Sequence, residues 1–308
     1  MCSNNLKLPI RAAPYRHQRE AATFALDRLV NGGGAALLME MGTGKTLTTI
    51  AIVGRLWQEK RIQRLLVVSP LSILGVWEDE FRKFADYDYS LAVLEGTGAR
   101  KADTIRHMTG AALQVLVVNY ESAWRLEREL AAWKPDCIVC DEGHKIKTHN
   151  IAASKALHRL GARVPYRLLL TGTVITNKPI DVFSQYKFAD SAVFGSSFYL
   201  FRNRYFDMVG YGNYTPVMKK SMEAEFTEKL HSIAFRATKA EWTGCSASRS
   251  CSGRNGTMFT MRTARPTAKK RWRRPLLAPK MSIRRAAIWA FSRPMGVICG
   301  SAARTSTR

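Results

Sequence analysis

Short, nearly unbroken apolar runs recur along the first 190 residues, separated by longer stretches with apolar residues at helical spacing. The runs are Ala35-Ala-Leu-Leu-Met39, Leu65-Leu-Val-Val-Ser69, Leu91-Ala-Val-Leu94, Val115-Leu-Val-Val118, Cys137-Ile-Val-Cys140 and residues 167–170. Such runs, bounded by turn residues, read as strands buried on both faces. The intervening stretches 47–57, 73–84, 99–108, 122–133, 151–160 and 180–188 read as helices, with Ser122 as the N-cap of its helix and Pro135 as its stop. A first helix opens at Pro14, carries Ala21, Phe24, Ala25 and Leu29 on one face, and ends at Gly32-Gly-Gly34. Strand and helix alternate six or seven times, which predicts an α/β fold with a mainly parallel sheet covered by helices on both faces. Ligands of such sheets sit at the carboxyl ends of the strands.

One strand-to-helix turn carries a phosphate-binding pattern, Met41-Gly-Thr-Gly-Lys-Thr46. Glycines there let backbone N–H groups close round phosphate oxygens, and the positive end of the following helix faces the same anion. Lys45 is placed to reach the β- and γ-phosphates and the Thr46 hydroxyl to hold a Mg²⁺. The strict pattern wants a glycine five residues before Gly44, where this chain has Met39. About a hundred residues later a strand ends in Asp141-Glu142. Asp141 can hold Mg²⁺ through a water, and Glu142 can orient and deprotonate the attacking water. A zinc reading of Cys137 and Cys140 with His144 and His149 fails on geometry, because residues three apart on a strand point to opposite faces. Buried strand cysteines are the better reading.

The segment 191–241 is different in texture. Aromatic and basic residues interleave in Phe198-Tyr-Leu-Phe-Arg-Asn-Arg-Tyr-Phe206. That mixture either stacks on bases and phosphates or packs helices on the main sheet.

Charge divides the chain. All 24 acidic residues lie at or before Glu241, whereas 15 of the 48 Lys and Arg follow it. The first 241 residues therefore carry +9, from 33 basic against 24 acidic, and the last 67 carry +15. A basic body suits a polyanion such as nucleic acid. No apolar run approaches the roughly 18 to 20 residues that span a bilayer, and the N-terminus lacks a secretory profile. A cytosolic (cytoplasmic) protein with reduced thiols is expected.

The motifs also fall in a family order. Tyr15-Arg-His-Gln18, Met41–Thr46, Val67-Val-Ser-Pro-Leu-Ser-Ile-Leu74 with Trp77, Val118-Asn-Tyr-Glu-Ser122, Asp141-Glu-Gly-His-Lys-Ile-Lys147, Leu169-Leu-Thr-Gly-Thr173 with Asn177, and Phe235-Arg-Ala-Thr-Lys-Ala-Glu241 together resemble the first half of a SWI/SNF-type DNA translocase. These are helicase-like ATPases of superfamily two. The resemblance covers residues 9–241 and implies two RecA-like P-loop lobes with ATP and Mg²⁺ in the cleft between them. It implies that Gln18 reads adenine, that Met41, Gly42, Thr43, Gly44, Lys45 and Thr46 hold the phosphates, and that Asp141 and Glu142 hold the metal and water. Ser69, Pro70, Asn119 and Tyr120 are then expected along the backbone of double-stranded DNA, with Thr171, Gly172 and Thr173 coupling the two sites.

Three departures stand out. Gly143 replaces the usual Ala of the acidic box, a small change expected to be tolerated. Val174 and Thr176 replace Pro and Gln after Thr173, and Met39 replaces an acidic residue. The second lobe's Arg-x-x-Arg-x-Gly-Gln-type arginine fingers have no counterpart here. Such fingers are worth about 10³ to 10⁵ in rate, so the chain reads as a first lobe alone, weak or inactive in hydrolysis, with a second lobe in trans as a candidate partner. The domain reading is 9–190 as the ATP-binding lobe, 191–241 as a mainly helical extension, and 242–308 as a basic, disordered tail. In that tail Lys269-Lys-Arg-Trp-Arg-Arg274 suits phosphate, while the loss of every acidic residue after Glu241 also fits out-of-frame translation. Alternatives are a non-catalytic nucleotide- and DNA-binding fragment and an RNA helicase of the same superfamily.

Overall fold

The computed structural model describes residues 7–172, 178–210, 212 and 215–239. Seven strands form one sheet: β1 (Ala35–Met39), β2 (Arg64–Ser69), β3 (Tyr89–Val93), β4 (Leu113–Asn119), β5 (Cys137–Cys140), β6 (Tyr166–Thr171) and β9 (Ala234–Ala237). Their order is β3-β4-β2-β5-β6-β1-β9, and every pairing is parallel. Five of the six strands expected from the apolar runs are wholly or nearly wholly buried, as a parallel sheet covered on both faces requires. β3 is an edge strand and only partly buried.

Alternation within each strand divides the core in two. Leu66, Val68, Leu116, Val118, Ile138 and Cys140 join one apolar layer; Leu65, Val67, Val115, Val117, Cys137 and Val139 join the other. The second layer receives α1 (Arg16–Val30), α2 (Lys45–Gln58) and α3 (Leu74–Phe84); the first receives α4 (Gly98–His107), α6 (Glu127–Trp133), α7 (Ala152–Gly161) and α8 (Val182–Ala189).

Two expectations change. The helix placed at 122–133 is two: α5 (Tyr120–Arg125) and α6, with a break at Leu126. Asn119, not Ser122, is the cap, its Oδ1 accepting the Ser122 N–H at 2.7 Å. A cap three residues earlier satisfies the first turn and pulls the helix start back onto the strand. The segment after residue 190 also carries strands among its helices. It holds α9 (Ser191–Phe194), α10 (Phe198–Tyr205), the antiparallel hairpin β7 (Phe206–Val209) and β8 (Thr215–Met218), α11 (Glu223–Ser232) and then β9, which pairs with β1 in the main sheet. Four residues with a partly exposed Phe235 and an exposed Arg236 give too weak an apolar run to read as a strand.

Among the described residues no helix is long and apolar enough to cross a membrane. Residues 242–308, including the Lys269–Arg274 cluster, lie outside the described residues.

Candidate nucleotide site and its rim

Along the carboxyl edge the loops after β4, β2, β5, β6 and β1 stand in that spatial order. They carry Asn119-Tyr120, Ser69-Pro70, Asp141-Glu142, Thr171-Gly172 and the phosphate loop. Five segments scattered over 130 residues of chain thus meet on one rim, as the topology rule for such sheets demands.

The loop after β1 turns through Gly42 at φ 82° and Gly44 at φ 87°, both in the left-handed region open to glycine. α2 starts at Lys45 with no side chain capping its N-terminus. Its first amides need an acceptor and the helix dipole favours an anionic one. That is the observation by which these residues fit a phosphate. Lys45 Nζ donates to the Met39 carbonyl at 3.2 Å. Gly172 packs alongside: a Cβ there would stand 3.3 Å from both Lys45 Nζ and Met41 Cγ. Met41 is mostly exposed, Thr43 buried, and Thr46 half-buried in the first turn of α2.

Side chains brace the loop through its carbonyls. Gln18 Nε2 donates to the Thr43 carbonyl at 3.0 Å, and the His17 ring nitrogen lies 2.9 Å from the same oxygen. Thr43 Oγ1 donates to the Glu40 carbonyl at 2.7 Å. Gln18 Oε1 accepts the Tyr15 N–H at 3.0 Å, closing the N-terminus of α1. Both ends of the Gln18 carboxamide are therefore engaged inside the lobe, and any adenine contact shares a group already bound. Glu40 Oε2 accepts the Lys239 N–H at 3.0 Å, which ties the chain leaving β9 to the same loop.

The acidic turn after β5 is built differently. Asp141 is 5% exposed. Its Oδ2 accepts the Trp77 indole N–H at 3.1 Å and lies 3.5 Å from Ser69 Oγ, while Oδ1 accepts the Glu142 N–H at 2.9 Å. Its carbonyl accepts the Tyr120 hydroxyl. Burial pushes the Asp141 carboxyl above the usual carboxylate range; the Trp77 bond opposes this, and so does the charge of Lys45. Burial likewise pushes the Tyr120 phenol well above its ordinary value. Glu142 holds a positive φ of 50°, a rare conformation for a non-glycine residue. His144 Nδ1 stands 3.2 Å from its Oε2.

The four residues expected along a nucleic-acid backbone are unequally placed. Ser69 is fully buried and its hydroxyl faces Asp141, so its side chain offers nothing to a partner outside the lobe. Asn119 caps α5, Tyr120 ties that helix to the acidic turn, and Pro70 is half-buried on the rim. Leu71, next in the chain, is 73% exposed. Thr171 is buried at the end of β6; Thr173, Val174, Thr176 and Asn177 lie outside the described residues. Sequence reasoning gave no role to His17 and His144, nor to Trp77 as a partner of Asp141. Trp77 falls in the apolar period of α3, where an indole reads as core; the clue was its N–H, which needs an acceptor when buried.

Both cysteines of β5 are buried free thiols, and burial pushes Cys137 up to about 12.

Comparison with known proteins agrees with this fold. A family model described as the SNF2-related domain matches residues 17–244. The chain is 31% identical over 203 residues to the DNA repair and recombination protein RAD54-like of Drosophila erecta, covering 61% of this chain and 25% of that protein. It is 30% identical over 181 residues to the probable ATP-dependent DNA helicase CHR23 of Arabidopsis thaliana, covering 58% and 17%. A solved structure of the Sulfolobus solfataricus SWI2/SNF2 ATPase core in complex with dsDNA superposes with a TM-score of 0.62 at 27% identity, over 77% of this chain and 47% of that one. The chain spans about a quarter or less of the length of these curated relatives.

Proposed function

We propose that this chain, which belongs to the SNF2-related domain family, is the ATP-binding first RecA-like lobe of a DNA-dependent ATPase that moves along double-stranded DNA. The observation that carries this reading is the convergence of the phosphate loop, Gly172, the acidic turn and the loops after β2 and β4 on neighbouring strands.

In this reading the amides of residues 42–46 and the Lys45 ammonium hold the triphosphate. Lys45 leaves the Met39 carbonyl to do so, a cheap exchange of one acceptor for a charged one. Thr46 and Asp141 hold Mg²⁺, which when bound supplies charge neutralisation at the phosphates. Glu142, oriented by His144, takes the proton of the attacking water. Pro70, Asn119 and Tyr120 face the duplex, with the exposed Leu71 beside them. Gly172, against Lys45, carries the state of the nucleotide towards Thr173. Arginine fingers come from a second lobe, in the same polypeptide or another, so hydrolysis by these residues alone is expected to be slow. The domain reading is 9–190 for the body of the lobe and 191–241 for its extension, whose last strand β9 returns to the lobe's sheet beside β1, in a cytosolic setting where DNA and ATP are both present.

Steady-state ATP hydrolysis and equilibrium ATP binding, each with and without duplex DNA, test the proposal on this chain and on Lys45→Ala. Mg²⁺-dependent binding that Lys45→Ala abolishes is the expected result. Binding equal in the two proteins overturns it. Tighter binding of duplex RNA than of duplex DNA would favour an RNA helicase of the same superfamily; the relatives named for DNA repair weigh against that.

A further inference from the structure

Apart from the Glu142 N–H on Oδ1, Asp141 receives its hydrogen bonds from the two segments expected to face DNA. The end of β2 supplies Ser69 and, through the following turn and α3, Trp77; the start of α5, next after β4, supplies Tyr120. Trp77 is 1% exposed, and Phe81, one turn on along α3, lies against its ring at a centroid distance of 6.4 Å. The indole is thus held by packing, and its one donor is spent on Oδ2 at 3.1 Å. A short 3₁₀ turn, Leu71–Ile73, joins Pro70 to the first turn of α3, and the exposed Leu71 sits on the rim. Any load on Pro70 and Leu71 reaches Trp77 through that 3₁₀ turn and the first turn of α3.

We propose that Trp77 is the positioning residue of the metal-holding carboxylate, and that α3 makes the set of Asp141 respond to duplex DNA lying on the loop after β2. The inference rests on the nucleotide- and DNA-binding reading above and adds the wire between the two sites. The Glu142 N–H fixes Oδ1 and the indole N–H fixes Oδ2, so together they set the plane of the carboxylate. Rotation of α3 by a fraction of an ångström at the ring alters the Oδ2 contact while leaving the Oδ1 contact alone. Trp77 touches neither nucleotide nor metal in this scheme; it acts through Asp141. Linkage makes the effect mutual: if duplex tightens metal-dependent nucleotide binding by some factor, Mg·nucleotide tightens duplex binding by the same factor.

Trp77→Phe keeps an aromatic ring in the core and removes the donor. The free Mg²⁺ that half-saturates binding of a fluorescent ATP analogue is measured with and without duplex DNA, beside nucleotide affinity in EDTA. A hydrogen bond to a charged group suggests a rise in half-saturating Mg²⁺ of about tenfold. Affinity in EDTA stays that of the parent, which a general loosening of the lobe would not allow. Duplex lowers half-saturating Mg²⁺ in the parent and leaves it unchanged in Trp77→Phe. If the ring change unfolds the lobe, 3-benzothienylalanine at position 77 keeps the bicycle and still lacks the N–H donor. Half-saturating Mg²⁺ equal to the parent's in the folded variant, or an undiminished response to duplex, overturns the proposal. A parent whose Mg²⁺-dependent binding matches that of Lys45→Ala overturns the nucleotide site itself, which is a separate failure.

Discussion

Along the rim of the sheet, polar side chains end mostly on backbone N–H and carbonyl groups or on one buried carboxylate; across the flank built by α8, α9, α10 and α11, aromatic rings end on one another. Phe201 illustrates the flank, with Phe183, Phe194, Tyr205 and Phe206 at centroid distances of 5.1, 5.3, 5.3 and 5.6 Å. Gly44 illustrates the rim, where a left-handed φ and a close glutamine leave room for no side chain. The flank draws on area and dispersion, which many aromatic combinations can supply. The rim draws on geometry, which few residues can. Stability should therefore be lost most from the flank, and ligand binding from the rim.

The sharpest break in that contrast would come from Phe201→Ala. A buried Phe truncated in a packed cluster costs about 3 to 5 kcal/mol, with Phe201 only 2% exposed. Urea denaturation should record that loss, while ATP affinity of the folded fraction stays unchanged. A fall in affinity without a fall in stability would merge the two regions into one. Gly44→Ala makes the opposite case. Its Cβ would stand 2.2 Å from Gln18 Nε2, in a backbone conformation that disfavours any side chain. Strain and overlap together suggest about 2 to 3 kcal/mol. The same change displaces Gln18 from the Thr43 carbonyl, so ATP binding should be lost even where the lobe remains folded.

This division also governs what was readable in the chain. The turn after β1 is a local object: glycines, lysine and threonine adjacent in sequence make it, and Met41 to Thr46 announced a strand-to-helix turn directly. The strands β1, β2, β4, β5 and β6 were readable because burial on both faces leaves no choice but apolar residues. The acidic turn was readable only as an Asp-Glu pair. What holds it, Trp77, Ser69 and Tyr120, comes from 21 to 72 residues away and reaches it through tertiary packing. The mixed segment 198–206 had two readings, and the fold divides it: Phe201, Tyr205 and Phe206 go inward, whereas Tyr199 is 65% exposed with the Arg202 guanidinium over its ring. An amphipathic split of that kind depends on which face meets the sheet, which the alternation of letters does not reveal. The partial exposure of β3 and the short β9 have the same origin, since edge strands need less apolar surface.

A pH measurement sharpens the contrast from the flank side. His158 on α7 has its Nε2 2.9 Å from the Ser184 carbonyl and 3.3 Å from the Ser184 hydroxyl; its other facing charges are Lys187, His149 and Arg159. Burial lowers it to about 4, with the Ser184 bond opposing and the cations adding to the fall. The unfolded chain therefore binds this proton first as pH drops. The contribution to stability is present above about 6.5 and is lost as pH falls from there towards 4. At pH 5 the loss should be about 1 to 2 kcal/mol, discounted for the partial exposure of the ring. Thermal melts of the parent and of His158→Gln across pH 5 to 7.5 should converge at the acid end. Parallel curves would mean that this histidine is not the group responsible.

The smallest expected effect is at Gly143, where the related family usually has alanine. The backbone φ there is negative, so alanine meets no strain and should gain about 0.4 to 1 kcal/mol from a stiffer unfolded chain. Against this stands Leu169, fully buried on β6, whose Cδ1 would lie 2.5 Å and Cγ 3.1 Å from the new Cβ. Relieving that overlap in a packed core costs about 1 to 3 kcal/mol, so Gly143→Ala should destabilise by about 1 kcal/mol net. The sign depends on one neighbour, which a double-mutant cycle isolates. In a Leu169→Ala background the obstruction is gone, and Gly143→Ala should become mildly stabilising. If it destabilises equally in both backgrounds, the clash is not with Leu169, and the glycine answers instead to the strained Glu142 before it. Gly143 would then belong with Gly44, as a second place on the rim where backbone geometry rather than side-chain packing sets the residue.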